Sequence, residues 1–269
     1  MVGAHPRAEA RGAPHPPDGQ VRRRRPARIR GGGRLSAIAL AYGPSPEQVG
    51  DLHLPEGPGP HRVVVLWHGG SFLAEYGRAM LEPLAAELAR RGLAAYNATY
   101  RRQGSGGGYP ETFDDALAAV DALAGFEAPL DLSTPPSGVG LSAGAPLALH
   151  AAAQGRLSRV VDIAGVAMLE VAARAGGDRS SVWQLMGAGP DESPERYASV
   201  DPAAQLPLPV PALVLHGDAD DVVPLALSEA FTAQAGPTCR LHVVPGAGHY
   251  DLYGLDSPAP DELFAFLGV

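Results

Sequence analysis

Short apolar runs alternate with amphipathic stretches along residues 35–269 of this chain. Val63–Trp67 is continuously apolar, which predicts a strand buried on both faces of a parallel sheet. Other runs, which are shorter or less continuously apolar, predict strands at Leu35–Tyr42, Val49–Leu54, Leu93–Tyr96, Val139–Leu141, Val160–Ala164, Ala212–Leu215 and Arg240–Val244. The stretches between them predict helices at Arg78–Arg91, Glu111–Leu123, Ala143–Ala153, Leu225–Ala235 and Ala259–Leu267. Strands that alternate with helices predict an α/β fold with a mostly parallel central sheet and helices on both faces.

Residues 166–209 interrupt this alternation. Val166–Ala173 and Ser181–Met186 have helical character, and prolines divide the rest of the stretch. A connection of this length predicts an excursion over the top of the sheet that serves as a lid or as a wall of the substrate site.

The first 34 residues differ in composition from the remainder. They are rich in Arg, Pro, Gly and Ala, which predicts a disordered extension, dispensable or serving as a basic arm. Nine arginines against Glu9 and Asp18 give this segment a charge of +7, so with a total of −8 residues 35–269 carry −15. An acidic body of this kind argues against nucleic acid as a partner.

Composition also limits the class of protein. A chain of 269 residues that is 45% hydrophobic is expected to form one soluble domain, here residues 35–269. The absence of a convincing signal core or membrane span favours a cytoplasmic location with no membrane partner. Cys239, the single cysteine, lies in an apolar run and is interpreted as a buried bystander. No metal-ligand spacing is present, and no cofactor is expected.

The motif Gly140-Leu141-Ser142-Ala143-Gly144 has the form of a nucleophile elbow. In such a turn the chain passes sharply from a strand into a helix and exposes a serine hydroxyl. The two glycines allow close approach of neighbouring backbone and of the helix that follows. The N–H groups at the start of that helix are placed to bind an oxyanion.

Three reactive side chains follow three different predicted strands. Ser142, Asp220 and His249 occur in the order nucleophile, acid, base, and each lies beyond the carboxyl end of its strand. Side chains at that edge of a parallel sheet gather together. We therefore predict Ser142 as nucleophile, His249 as general base and acid, and Asp220 as the residue that orients the imidazole. Asp218 and Asp221 remain competitors for the acid role.

These motifs resemble those of the α/β-hydrolase family over about residues 35–269, most closely its esterase and arylformamidase-type members. The resemblance includes His68-Gly69-Gly70-Ser71-Phe72 after a strand, His216-Gly217 before Asp220, and Gly248 before His249. It implies an α/β-hydrolase fold with a small lid-like excursion. It also implies an oxyanion hole formed by the N–H groups of Gly70, Ser71 and Ala143.

Two positions depart from the family pattern and bear on substrate class. Phe72 stands where the arylformamidase-like pattern has Trp, and Leu141 stands where many members have a polar residue. Phe72, Tyr76 and Leu141 are the predicted pocket residues, although core packing explains aromatic residues equally well.

Other polar residues support structural interpretations. His68 and His216 are interpreted as loop histidines, and His150 as a packed or solvent-facing one. The glycine-rich segment Gly104–Gly108 lacks the Lys and Ser/Thr of a phosphate-binding loop and is interpreted as a flexible loop.

The sequence thus predicts a serine hydrolase that cleaves a small carboxylic ester or aryl-formamide through an acyl-enzyme. Its expected partner is a small ester or amide substrate, and the oligomeric state is left open. The alternatives are a peptidase of short peptides and a hydrolase-fold binding protein that has lost turnover.

Overall fold

A twisted sheet runs through the centre of the protein. The computed structural model describes residues 37–255 and 259–269, so the predicted disorder of residues 1–34 lies outside the described residues. The strands are β1 (Ile38–Ala41), β2 (Val49–His53), β3 (His61–Trp67), β4 (Ala94–Ala98), β5 (Leu130–Asp131), β6 (Ser137–Leu141), β7 (Arg159–Ile163), β8 (Ala212–Gly217) and β9 (Cys239–Val244). Their order across the sheet is β1-β2-β4-β3-β6-β7-β8-β9, and the short β5 pairs with β3.

The sheet is parallel from β4 through β9, and β1 and β2 extend it with antiparallel pairing. All parallel strands therefore end at one edge, where the loops after β3, β6, β8 and β9 meet. This confirms the predicted mostly parallel sheet.

The helices cover both faces of the sheet. They are α1 (Glu82–Arg90), α2 (Glu111–Asp121), α3 (Ala145–Ala153), α4 (Leu169–Gly176), α5 (Ser181–Met186), α6 (Pro194–Val200), α7 (Leu225–Ala235) and α8 (Ala259–Leu267). No helix within the described ranges is long and apolar enough to cross a membrane.

Alternate residues of β3 pack into two separate hydrophobic cores, one on each face of the sheet. Val63, Val65 and Trp67 belong to the apolar cluster that includes α2, α3 and α7, whereas Val64 and Leu66 belong to the cluster that includes α1 and α8. Side chains of successive strand residues point to opposite faces, so a continuous apolar run is needed here. The prediction from Val63–Trp67 is confirmed.

Two predicted helices begin later than expected because of proline. A 3₁₀ turn at Arg78–Leu81 precedes α1, and Pro83 occupies its first turn. Proline lacks an N–H and its ring would clash with a carbonyl of a preceding α-helical turn. Pro146 has the same position in α3, which follows a 3₁₀ turn at Ser142–Gly144.

The excursion between β7 and β8 contains three helices rather than the two that were predicted. Helix α6 was missed although Ser193-Pro194-Glu195 carries the signals of a helix start, with Pro at the first positions. Asp201 fixes this region, because its carboxylate accepts hydrogen bonds from the Glu170 N–H at 2.8 Å and the Ala203 N–H at 3.0 Å.

Candidate active site

The nucleophile elbow joins β6 to α3 at the carboxyl edge of the sheet. Ser142 has φ of +50°, in the left-handed region that a non-glycine residue rarely adopts. A Cβ at Gly140 would lie 2.4 Å from the Ala145 Cα, and one at Gly144 would lie 2.1 Å from the Trp67 carbonyl oxygen. Both glycines are therefore required for the close approach that the sequence predicted.

A hydrogen-bonded relay connects the three predicted residues. The His249 Nε2 lies 3.1 Å from the Ser142 Oγ, and its Nδ1 lies 2.7 Å from the Asp220 Oδ2. The carboxylate can only accept, so Nδ1 carries the proton and the Nε2 lone pair faces the serine hydroxyl. Ser142 and His249 are both buried, at 8% and 3% exposure. The geometry is that of a base poised to remove the serine proton.

Asp220 is held from two sides. Its Oδ1 accepts hydrogen bonds from the Val222 N–H at 2.9 Å and the Val223 N–H at 2.8 Å, which leaves Oδ2 for His249. His216, fully buried, places its Nε2 2.8 Å from the Val223 carbonyl oxygen and 3.2 Å from the Asp220 Oδ2. Nε2 is therefore the protonated nitrogen of His216, as a carbonyl accepts only. His216, predicted from the sequence to be a structural loop histidine, contacts the turn that carries Asp220.

The competing aspartates have other positions. The Asp218 Oδ1 accepts the Gly246 N–H at 2.6 Å and so ties the acid turn to the histidine loop. Asp221 is exposed to solvent. Of the three aspartates of the turn, Asp220 is the one within hydrogen-bond distance of His249.

The loop after β3 lies against the elbow. A Cβ at Gly69 would be 3.1 Å from the Ser142 Cβ, and Gly70, Ser71 and Phe72 have φ of 107°, 52° and 60°. Three successive residues in the left-handed region form a strained turn of the kind found at functional sites. This turn brings the predicted oxyanion donors of Gly70 and Ser71 to the same side of the sheet as Ala143.

Buried polar contacts fix the start of that loop. The His68 Nδ1–H donates to the Gly69 carbonyl oxygen at 2.7 Å, and the Tyr100 hydroxyl donates to the His68 carbonyl oxygen at 2.7 Å. The carbonyl of one residue and the N–H of the next point in opposite directions. Holding the Gly69 carbonyl against His68 therefore turns the Gly70 N–H away from it.

His68 is neutral in this setting. Burial lowers its pKa to about 4, the Gly69 carbonyl opposes that shift, and the nearby Arg102 guanidinium adds to it. Arg102 is itself buried, contacts Thr99 and pairs with Glu47. The prediction that His68 is a structural loop histidine is confirmed.

A cavity of about 550 Å³ opens beside Ser142. Its walls come from the loop after β3, the elbow, the excursion, the turn after Asp220 and the first half of α7. The lining residues are Ser71, Phe72, Ser142, Ala143, Val166, Met168, Val171, Ala172, Ala175, Ser180, Ser181, Val182, Val222, Val223, Pro224, Ala226, Leu227 and Ala230. The excursion is thus a wall of the site.

Two of the three predicted pocket residues lie elsewhere, whereas Phe72 lines the cavity. Leu141 is fully buried in the cluster with α1 and α8, because strand alternation directs its side chain to the opposite face from Gly140. Tyr76 packs over Gly70, where an added Cβ would lie 2.2 Å from the Tyr76 Cβ. It supports the loop from outside and does not contact the cavity.

Sequence reasoning missed most of the cavity wall. Val222, Val223 and Pro224 line it, and they were noticed only as flanks of the acid turn. Met168 and Ala172 come from the excursion, where no sequence signal distinguishes residues that face a cavity from residues that face solvent. The sequence pointed to this region through the excursion, predicted as a possible wall of the site, and through Phe72.

The packing contacts of His150 and the burial of Cys239 explain these residues without a catalytic role. His150 is buried, packs edge-on against Phe113 and contacts Gln205. Cys239 is buried, and burial raises the pKa of its thiol to about 11, which keeps it unreactive. In the described parts of the chain, no three His, Cys, Asp or Glu side chains are grouped to hold a metal ion.

Comparison with solved structures identifies the fold class. A truncated carbohydrate esterase from gut microbiota matches with a TM-score of 0.76 and 20% identity, over 87% of this chain and 95% of that one. A thermophilic esterase from the Planctomycetes species Thermogutta terrifontis matches with a TM-score of 0.68 and 19% identity, over 87% of this chain and 93% of that one. The fold is that of the α/β-hydrolases.

The family follows from the sequence. The BD-FAE family model matches residues 51–234, and the chain belongs to this family of esterases with the α/β-hydrolase fold. Two uncharacterized proteins from strains of Mycobacterium tuberculosis are 44% identical over 62 residues, which is 23% of this chain. The match spans about a fifth of the length of these curated relatives.

Proposed function

We propose that this protein is a serine esterase that hydrolyses carboxylic esters through an acyl-enzyme. The observation that carries the proposal is the relay from Asp220 through His249 to Ser142, which ends beside a cavity. Membership of an esterase family supports the same reaction.

In the first half of the reaction the Ser142 Oγ attacks the ester carbonyl while the His249 Nε2 takes its proton. The imidazolium is stabilised by Asp220 and then protonates the departing alcohol. In the second half a water molecule attacks the acyl carbonyl while His249 takes its proton. The bond from the acyl carbon to the Ser142 Oγ then breaks, His249 returns the proton to that oxygen, and the acid product leaves. Asp220 keeps the imidazole in the required tautomer in both halves.

The oxyanion that forms in both halves needs hydrogen-bond donors. We assign this role to the N–H groups of Gly70, Ser71 and Ala143, which belong to the strained loop and to the first residue after the nucleophile. Each such donor lowers the barrier by about 3–4 kcal/mol in comparable enzymes. The bracing by His68 and Tyr100 keeps the loop in place before substrate binds.

The test combines turnover with covalent labelling. The wild-type protein is expected to hydrolyse p-nitrophenyl butyrate and to gain the mass of one fluorophosphonate adduct at Ser142. Ser142→Ala is expected to lose both. Ser133→Ala, a matched change at an exposed serine that precedes the amino end of β6, opposite to the end that carries Ser142, is expected to retain both.

If the wild-type protein neither turns over esters nor reacts with the fluorophosphonate, the binding-protein alternative replaces the esterase. If esters are cleaved equally well by Ser142→Ala, the relay is not the catalytic group.

Aryl-formamide hydrolysis is a second candidate for the same site. The same relay can attack an amide carbonyl, and Phe72 is the aromatic residue in the described lining of the cavity beside Ser142. The rate with an N-formyl aryl amine, compared with the rate with p-nitrophenyl butyrate, decides between the two substrates.

A further inference from the structure

The cavity beside Ser142 is lined mostly by apolar side chains. Its described lining contains no ionisable side chain, and the polar side chains in it are serines. Alanine, valine, methionine and leucine supply most of the surface. A charged group placed there would lose its hydration without gaining a partner, so the cavity favours an apolar occupant.

The position of the cavity relative to the relay identifies which part of an ester it holds. The leaving oxygen must come within hydrogen-bond reach of the His249 Nε2 to be protonated. The alcohol therefore departs on the His249 side. The cavity borders Ser142, Ala143 and the loop after β3, whereas His249 is not part of its described lining. It thus lies where the acyl chain extends from the carbonyl carbon.

Its size favours an acyl group larger than acetyl. The cavity volume of about 550 Å³ lies within the range of roughly 300–1,000 Å³ that is usual for small-molecule sites. An acetyl group would leave most of this space without substrate. Val171 and Val222, which line it, are 43% and 48% exposed and form an apolar rim through which a longer chain can enter.

We propose that this cavity is the acyl-binding site and that it selects esters of uncharged, medium-length acyl chains of roughly six to ten carbons. The proposal rests on the esterase function proposed above. It also has a consequence for the second candidate substrate: a formyl group is too small to use the cavity, so aryl-formamides are expected to be poor substrates.

The first experiment varies only the acyl chain. Values of kcat/KM are measured for p-nitrophenyl acetate, butyrate and octanoate, each below the concentration at which it aggregates. Burying one methylene contributes about 0.8 kcal/mol, or about fourfold. We expect octanoate to exceed acetate at least tenfold, and a half-ester of equal length with a terminal carboxylate to lose that advantage.

The second experiment fills the cavity from two different helices. Ala172 on α4 and Ala226 on α7 both line it, and phenylalanine at either position occupies the space for the chain. Ala172→Phe and Ala226→Phe are each expected to lower the octanoate-to-acetate ratio at least tenfold. Ala233→Phe is the matched control, because Ala233 is exposed on α7 outside the cavity lining. Two variants keep the test valid if one does not fold.

The outcomes separate this inference from the esterase proposal. Ser142-dependent turnover with no preference for octanoate, or with a preference that neither cavity variant alters, overturns the acyl-site assignment alone. Absence of any turnover and of fluorophosphonate labelling overturns the esterase proposal itself. A chain-length preference that both cavity variants reduce and Ala233→Phe leaves unchanged supports the assignment.

Discussion

The turn after β8 carries three aspartates whose surroundings give each a different task. Asp220 has a fully buried side chain that faces His249, Asp218 ties down the histidine loop, and Asp221 extends into solvent. Composition alone could not separate them, because all three lie within four residues. The two backbone donors of Val222 and Val223 are what direct the Asp220 carboxylate inward.

Asp220→Asn is expected to reduce kcat with p-nitrophenyl butyrate by about a thousandfold or more, because an amide does not fix the imidazole tautomer that accepts the serine proton. Asp221→Asn removes the same charge from the adjacent exposed position and is expected to retain wild-type kcat. Circular dichroism of both variants controls for folding. A mild effect at Asp220 together with a large one at Asp221 would reassign the acid.

Asp162 is a buried carboxyl that the relay does not use. It lies on β7 in register with Gly140, and an added Cβ at Gly165 would be 2.2 Å from its Oδ1. Burial raises the pKa of Asp162 to about 7, and the Gly165 N–H opposes that shift. The folded protein therefore holds this proton over the range in which the unfolded chain has released it. Stability is lost as the pH rises from about 4 to about 7.

Asp162→Asn is expected to remove this pH dependence. The free energy of unfolding of the variant minus that of wild type should therefore rise by about 2–3 kcal/mol when the pH is raised from about 5 to about 8. Comparing two pH values cancels any fixed packing cost of the amide. Urea unfolding at both values measures the change, with the exposed Asp178→Asn as control. Equal differences at the two pH values would mean that Asp162 does not titrate in this range.

At the scale of elements, the loops that carry the relay depend on close backbone contacts. Gly217, the last residue of β8, lies so near the histidine loop that an added Cβ would be 2.0 Å from the Ala247 carbonyl oxygen. The Ala219 N–H also donates to that carbonyl at 3.1 Å. His249 follows two residues later, so its position relative to Asp220 depends on this contact.

Gly217→Ala is expected to separate the two loops, to lower kcat more than tenfold and to destabilise the fold by about 1–3 kcal/mol. Gly125→Ala is the matched control, because a Cβ at Gly125 meets no atom within 4 Å. It is expected to change stability by less than about 0.5 kcal/mol. Kinetics with p-nitrophenyl butyrate and urea unfolding report the two effects. Unchanged kcat in Gly217→Ala would show that the histidine loop tolerates displacement.

The elements that were predictable are those whose signal is local. The strand at Val63–Trp67 was predictable because burial on both faces demands a continuous apolar run. The helix at Leu225–Ala235 was predictable because Pro224 and Gly236 bound its helical stretch. The elbow was predictable because its two glycines lie where a side chain would clash with neighbouring backbone. The direction of the Leu141 side chain was not predicted, since a residue beside the nucleophile can face either side of the sheet. The excursion was predicted as a possible wall of the site, but most individual lining residues were not, because they come from segments far apart in the chain.

At the scale of the whole molecule, charge is distributed unevenly. The charge of −15 on residues 35–269 accompanies exposed aspartates on the loops that carry the acid and the base, namely Asp218, Asp221 and Asp251. Asp218 and Asp221 share the turn that carries Asp220, and Asp251 follows His249 by two residues. These carboxylates therefore flank the base toward which the alcohol departs in the proposed reaction. The acyl cavity, in contrast, has no ionisable side chain in its described lining. The two sides of an ester therefore meet different electrostatic environments.

This asymmetry predicts a preference for cationic alcohols that salt removes. Choline butyrate and the butyrate of neohexyl alcohol, its uncharged carbon isostere, share the same acyl group and nearly the same shape. We expect kcat/KM for the choline ester to be about threefold to tenfold higher at about 10 mM salt, because the negative potential concentrates the cation near the site. Screening at about 500 mM salt should reduce the ratio toward one, as the screening length falls to a few ångströms. The ratio at two salt concentrations cancels differences in intrinsic reactivity. A ratio that does not depend on salt would show that the charge of the body does not reach the alcohol side of the site.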